Sequence, residues 1–139
     1  MLEWWDEREA TKACADIAHP DGYGIWSENG NTVRFFLEYD TGTEDQSRLI
    51  DKLQGYRDLR AGGLTIPVLF VLPGPKRQTN FHRLLDQQPA TISGLTVATT
   101  TLADLADNTP AGPVWWLAGH TTRHRLATLP TPPAATYAA

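Results

Sequence analysis

Pro20-Asp21-Gly22-Tyr23-Gly24-Ile25-Trp26-Ser27-Glu28-Asn29-Gly30-Asn31-Thr32-Val33-Arg34-Phe35-Phe36-Leu37-Glu38-Tyr39-Asp40 is the stretch that decides the fold. Two runs rich in β-branched and aromatic residues, Tyr23 to Ser27 and Thr32 to Asp40, flank an Asn-Gly step. That step supplies the two positive-φ positions of a tight hairpin turn. Folding the second run back on the first brings Asp21, at the start of one strand, beside Glu38, near the end of the other. Side chains alternate along a strand, so Asp40 shares the face of Glu38. Carboxylates gathered at one sheet edge repel unless a cation lies among them. Magnesium suits such a site, because it takes one or two carboxylates together with water and phosphate oxygens. Pro-Asp-Gly is also an ordinary turn, and Glu-x-Asp an ordinary solvated strand end.

Outward from the hairpin, the segment from Leu2 to Ala18 lacks Gly and Pro and spaces its apolar residues helically, which predicts a helix ended by His19-Pro20. After the hairpin, Thr43 with Gln46 fits a capping box, and a helix runs on to about Arg60 with Leu49, Ile50, Leu53 and Tyr56 near one face. The continuous apolar run Ile66 to Leu72 reads as a strand covered on both faces. A helix over Gln78 to Gln87 and a strand over Leu95 to Thr101 follow. The order helix, hairpin, helix, buried strand, helix, strand defines an α/β class with a mixed central sheet flanked by helices. The chain reads as one domain over residues 1–128 and a disordered Pro/Thr/Ala-rich tail over 129–139.

On the helix after the hairpin, Arg48, Lys52 and Tyr56 fall one turn apart on one face, where a cation can lean over the acidic strand end. The reading that competes is an ordinary surface pair of Lys52 with Asp45 or Asp51. The histidines make no metal set: His120 and His124 have helical spacing but no third ligand. Arg123-His124-Arg125 and Lys76-Arg77 with His82 and Arg83 are the local basic clusters, readable as phosphate contacts or as solvated loops. Trp4, Trp5, Trp115 and Trp116 read as core or core-edge residues, or as platforms that stack on bases.

Composition narrows the setting. The chain has 139 residues, 41% of them apolar, with 12 Lys+Arg against 16 Asp+Glu for a net charge of -4. That is too apolar for a disordered chain and too acidic to hold nucleic acid by bulk electrostatics. A single cysteine, Cys14, excludes a disulfide framework. No apolar run reaches the roughly 20 residues of a membrane span, and the acidic N-terminus is unlike a secretory signal, so a cytoplasmic setting without membrane contact is expected.

Taken together, Trp4-Trp5-Asp6-Glu7, Pro20-Asp21-Gly22, Phe36-Leu37-Glu38-Tyr39-Asp40-Thr41-Gly42-Thr43-Glu44 and Lys52-Leu53-x-x-Tyr56 resemble the C-terminal part of actinobacterial replication-relaxation proteins and, more broadly, the PD-(D/E)XK nuclease superfamily. The resemblance covers about Leu2 to Leu105. It implies a restriction-endonuclease-like αβββαβ core and a magnesium- or manganese-dependent endonuclease or nickase acting on DNA in plasmid or mobile-element biology. Asp21 and Glu38 would be metal-binding and catalytic, Glu7 an added metal ligand with Glu3 as fallback, and Lys52 a catalytic lysine moved onto the helix. Tyr56, with Arg48 beside it, would contact substrate. Asp40 stands where the superfamily usually has its lysine. Three readings follow: Lys52 compensates, Asp40 ligates a second ion, or the fold has kept its scaffold as a DNA- or protein-binding module without catalysis. A winged helix-turn-helix domain usually precedes this region in such proteins, so DNA binding is expected to draw on a separate domain.

Overall fold

The computed structural model describes residues 2–6, 8–9, 20–61 and 66–130, the first five as backbone only. Strands β1 (Leu2–Asp6), β2 (Gly22–Glu28) and β3 (Asn31–Tyr39) form an antiparallel meander. The β2–β3 turn is the expected Asn-Gly hairpin, with Asn29 at φ 50° and Gly30 at φ 82°. Helix α1 (Gln46–Ala61) then crosses to β4 (Val68–Leu72), and α2 (Pro75–Gln87) crosses to β5 (Val97–Thr101). Both crossovers give parallel pairs, β3 with β4 and β4 with β5. After a short helix α3 (Leu102–Asp107), β6 (Trp115–Leu117) and β7 (Arg123–His124) extend the sheet antiparallel. All seven strands lie in sequence order in one mixed sheet.

The expected helix from Leu2 to Ala18 is corrected at its start. Leu2–Asp6 is an edge strand paired with β2 from Leu2↔Trp26 to Asp6↔Gly22. A Trp-Trp pair favours a pleated, half-buried surface, and the free edge of β2 offers backbone partners that the local helical spacing does not. Arg8 and Glu9 are helical; residues 10–19 of that expected helix, and most of the tail expected over 129–139, lie outside the described residues. The α1 cap also differs. The helix begins at Gln46, and the Asp45 carboxylate accepts from the Ser47 amide at 3.2 Å, so Asp45 and not Thr43 caps it.

Both sheet faces are covered. Leu49, Ile50, Leu53, Tyr56 and Leu59 of α1, with Phe81 and Leu85 of α2, pack on Tyr23, Phe36, Val68, Phe70, Leu72 and Val97. On the other face Val33, Phe35, Leu69, Val71 and Ala98, joined by Trp115 and Leu117 of β6, pack with Val114, Leu126 and Leu129. β4, the apolar run, is fully buried along its length, as a strand between two layers requires. Gly24 permits the closest approach within the meander: a Cβ there would sit 2.3 Å from the Phe35 ring.

This topology decides where chemistry can gather. The carboxyl ends of β3, β4 and β5 and the start of β2 share one edge of the sheet, the edge at which open α/β sheets receive ligands. Asp21, Glu38 and Asp40 stand there.

Candidate active site at the carboxyl edge of the sheet

Glu38 is the centre of the edge. It lies on the face of β3 that α1 covers and is 2% exposed. The Tyr56 hydroxyl donates to its Oε1, while its Oε2 is buried and accepts no hydrogen bond from any of the described residues. The Lys52 ammonium faces that oxygen at 3.6 Å and stands 3.9 Å from the Glu44 carboxylate. Burial is the main cause that raises the Glu38 carboxyl from 4.5 to about 7; the Asp21 charge adds to it, while Tyr56 and Lys52 act against it. Asp21 is half-buried at the start of β2, and its Oδ2 accepts from the Tyr39 amide at 2.6 Å. The hairpin therefore brings Asp21 and Glu38 together as the turn predicts, and helical spacing brings Lys52 and Tyr56 over them.

Tyr56 reaches the site from the core side. At 3% exposure its ring is in the core beside Phe36, and its hydroxyl is spent on Glu38. It orients the carboxylate from the core side. Arg48 stands exposed in the first turn of α1. Glu7 lies outside the described residues. Glu3 pairs with Ile25, four residues along β2 from Asp21, so its backbone is roughly 13 Å further down the sheet.

Asp40 is on the expected face but is turned to a different partner. The Arg77 guanidinium of α2 donates to both of its oxygens, one of them at 3.0 Å, and the Gly42 amide adds a further bond at 3.0 Å. Arg77 also donates to the Glu44 carbonyl, and Gln46 Nε2 donates to the Arg77 carbonyl at 2.6 Å. The loop between β3 and α1 is thus tied to the start of α2. Sequence reasoning missed this pair, which joins residues 37 positions apart. The signal for it is topological. β3 and β4 are parallel neighbours with Tyr39 opposite Val71, so the first turn of the helix after β4 must start beside the residue that follows β3.

The basic clusters disperse. Arg77 belongs to Asp40, and His82 is buried with its Nε2 2.7 Å from Thr99 Oγ1, which also accepts from Gln78 Nε2 at 2.9 Å. The His82 ring stacks on Trp116 at 3.8 Å, and Arg123 covers Trp116 at 4.7 Å. Trp116 is therefore sandwiched and Trp115 buried, which leaves neither free to stack on bases. Arg125 pairs with Glu28 at 3.1 Å.

Among the described residues no three His, Cys, Asp or Glu side chains converge on one point. A two-carboxylate seat is another matter: the buried, unbonded Glu38 Oε2 with Asp21 beside it has the donor set and the charge that a hard divalent cation needs. Asp40, with both oxygens engaged, does not add to it.

Fold and edge together define a mixed α/β domain that keeps a buried carboxylate, a second acid and a lysine at the carboxyl ends of its parallel strands. The family model described as Replication-relaxation matches residues 1–69, the part that holds Asp21, Glu38, Lys52 and Tyr56. No curated protein and no solved structure matches it. Among the described residues no helix is long and apolar enough to cross a membrane.

Proposed function

We propose that this chain is a PD-(D/E)XK-type, metal-dependent nuclease domain that cleaves DNA phosphodiesters in plasmid or mobile-element replication or mobilisation. One observation carries the reading: Glu38 is buried with a free oxygen, next to Asp21 and under Lys52, at the sheet edge where such a fold does its chemistry. A buried carboxylate with one oxygen left open beside a second acid is the arrangement that a site for a cation provides. Asp21 and Glu38 would hold Mg²⁺ or Mn²⁺, which when bound polarises a phosphate and lowers the pKa of water. Tyr56 holds the Glu38 carboxylate in orientation from the core side. Lys52 reaches the mouth of the site from α1, where its ammonium can steady a phosphate oxygen or the attacking water. Arg48, one turn earlier and exposed, is placed for the phosphate backbone. With a net charge of -4, the chain would rely on a separate DNA-binding domain for most of its grip on DNA.

A second reading, a catalytically silent nuclease fold that docks DNA or protein, is favoured by one contact. Asp40 stands where the superfamily usually has its lysine, and Arg77 neutralises it. A nicking assay on supercoiled plasmid decides between the two. Mg²⁺- or Mn²⁺-dependent relaxation that disappears in Asp21→Ala and in Glu38→Ala is expected. No activity with either ion, or activity that survives both substitutions, rejects catalysis at this site.

A further inference from the structure

Resting on the two-carboxylate reading above, we propose that Lys52 is a displaceable internal cation: its ammonium covers the open side of Glu38 and exchanges onto Glu44 when a divalent cation binds at Asp21 and Glu38. Glu44 is then a positioning residue of the site, one that acts through Lys52.

The geometry supports the exchange at each point. The Lys52 ammonium is 3.6 Å from Glu38 Oε2 and 3.9 Å from Glu44 Oε2, so it sits between two carboxylates and is hydrogen-bonded to neither. Glu38 Oε1 is taken by Tyr56, so Oε2 is the only oxygen of Glu38 that an incoming ion can use. An ammonium and a divalent cation cannot share that oxygen without strong like-charge repulsion. The inner carboxylate is fixed, whereas the outer partners can move: Lys52 is 37% exposed and Glu44 45% exposed. A flexible four-carbon stem lets the ammonium shift towards Glu44 without any change in α1. Glu44 is kept within reach by its backbone, because Arg77 holds its carbonyl while gripping Asp40. The receiving carboxylate is therefore anchored at the right distance even though its side chain is in solvent.

The test is Mn²⁺ binding to the full chain, followed by electron paramagnetic resonance of the free ion at pH 8.5, where Glu38 is ionised. Lys52→Met is expected to bind Mn²⁺ about tenfold more tightly than the wild type, because a competing like charge has gone. Glu44→Gln is expected to bind several-fold more weakly, because the ammonium loses its second partner. In the Lys52→Met background the Glu44→Gln change is expected to have no effect, a non-additivity that a ligand or a purely structural residue would not show. Unchanged or weaker binding by Lys52→Met overturns the exchange, and so does a Glu44→Gln effect that persists without the lysine. Both outcomes leave the carboxylate seat standing. Failure of Asp21→Ala and Glu38→Ala to abolish Mn²⁺ binding, or absence of binding in every protein, overturns the seat and the exchange together.

Discussion

Glu38 and His82 set two opposed pH dependences inside one fold, and separating them is the sharpest test of the buried geometry. In the native state burial raises Glu38 from 4.5 to about 7, so its contribution to stability is complete below pH 4.5 and is lost as pH rises through 7. Burial, with Arg123 nearby, lowers His82 from 6.5 to about 4. Its contribution is complete above pH 6.5 and is lost as pH falls through 4. At 1.36 kcal/mol per pH unit, each displacement corresponds to about 3 kcal/mol. Between pH 4.5 and 6.5 the two slopes have opposite signs and similar size. Wild-type stability should therefore owe almost no net pH dependence to this pair.

Glu38→Gln removes one slope and leaves the other. The amide can still accept from Tyr56, and it carries no charge to bury. Denaturant unfolding in chelator at half-unit steps from pH 4 to 8, with wild type and variant measured in parallel, gives the difference directly. Carboxylates common to both proteins cancel in that difference. Relative to wild type, Glu38→Gln should gain up to about 3 kcal/mol between pH 4.5 and 8, as the cost of ionising a buried carboxylate disappears. Its own stability should fall by a similar amount from pH 6.5 to 4, because the unfolded imidazole takes up a proton that His82, buried against Trp116 and Thr99, does not. Curves for wild type and Glu38→Gln that stay parallel across this range would refute the reasoning, because Glu38 would then titrate alike in the folded and unfolded chains.

Two further substitutions probe the framework. Arg77→Met should destabilise by about 3 kcal/mol, since it leaves the buried Asp40 carboxylate unpaired, and adding Asp40→Asn should recover more than half of that; additive losses in the double-mutant cycle would show that the pair is not the source. Gly24→Ala should cost about 1–3 kcal/mol in thermal unfolding because its methyl meets the Phe35 ring, and Phe35→Leu in the same chain should soften the loss.

The parts of the fold legible in the sequence are those whose cause is local. Asn29-Gly30 dictates the hairpin by φ, and the hairpin alone brings Asp21 to Glu38. Helical spacing from Leu49 to Tyr56 fixes which side of α1 meets the sheet, and so places Lys52 and Tyr56 over Glu38. The continuous apolar run from Ile66 to Leu72 contains the covered strand Val68–Leu72. The misread parts depend on partners distant in the chain. Leu2–Asp6 has a helical spacing, yet the vacant edge of β2 turns it into β1. The basic cluster around Lys76 and Arg77 looks like a solvated patch until parallel pairing of β3 and β4 brings Arg77 to Asp40. His82 looks like one more surface cation until β5 and β6 supply Thr99 and Trp116.

The same distinction separates the roles within the site. An acidic residue at a strand end has no assigned chemistry until its neighbours are known, and Glu38 and Asp40 show how far two acids on one strand can diverge. Both are buried and both lie on the helix-covered face, but Asp40 meets a guanidinium with the shape to satisfy both its oxygens. Glu38 meets a phenol that satisfies one oxygen and a lysine that stops short of the other. Full satisfaction makes Asp40 a structural tie between the β3–α1 loop and α2. Partial satisfaction leaves Glu38 with one oxygen that only the Lys52 ammonium faces, at 3.6 Å, among the described residues. The two acids thus draw their positive charge from different helices, Asp40 from Arg77 of α2 and Glu38 from Lys52 of α1.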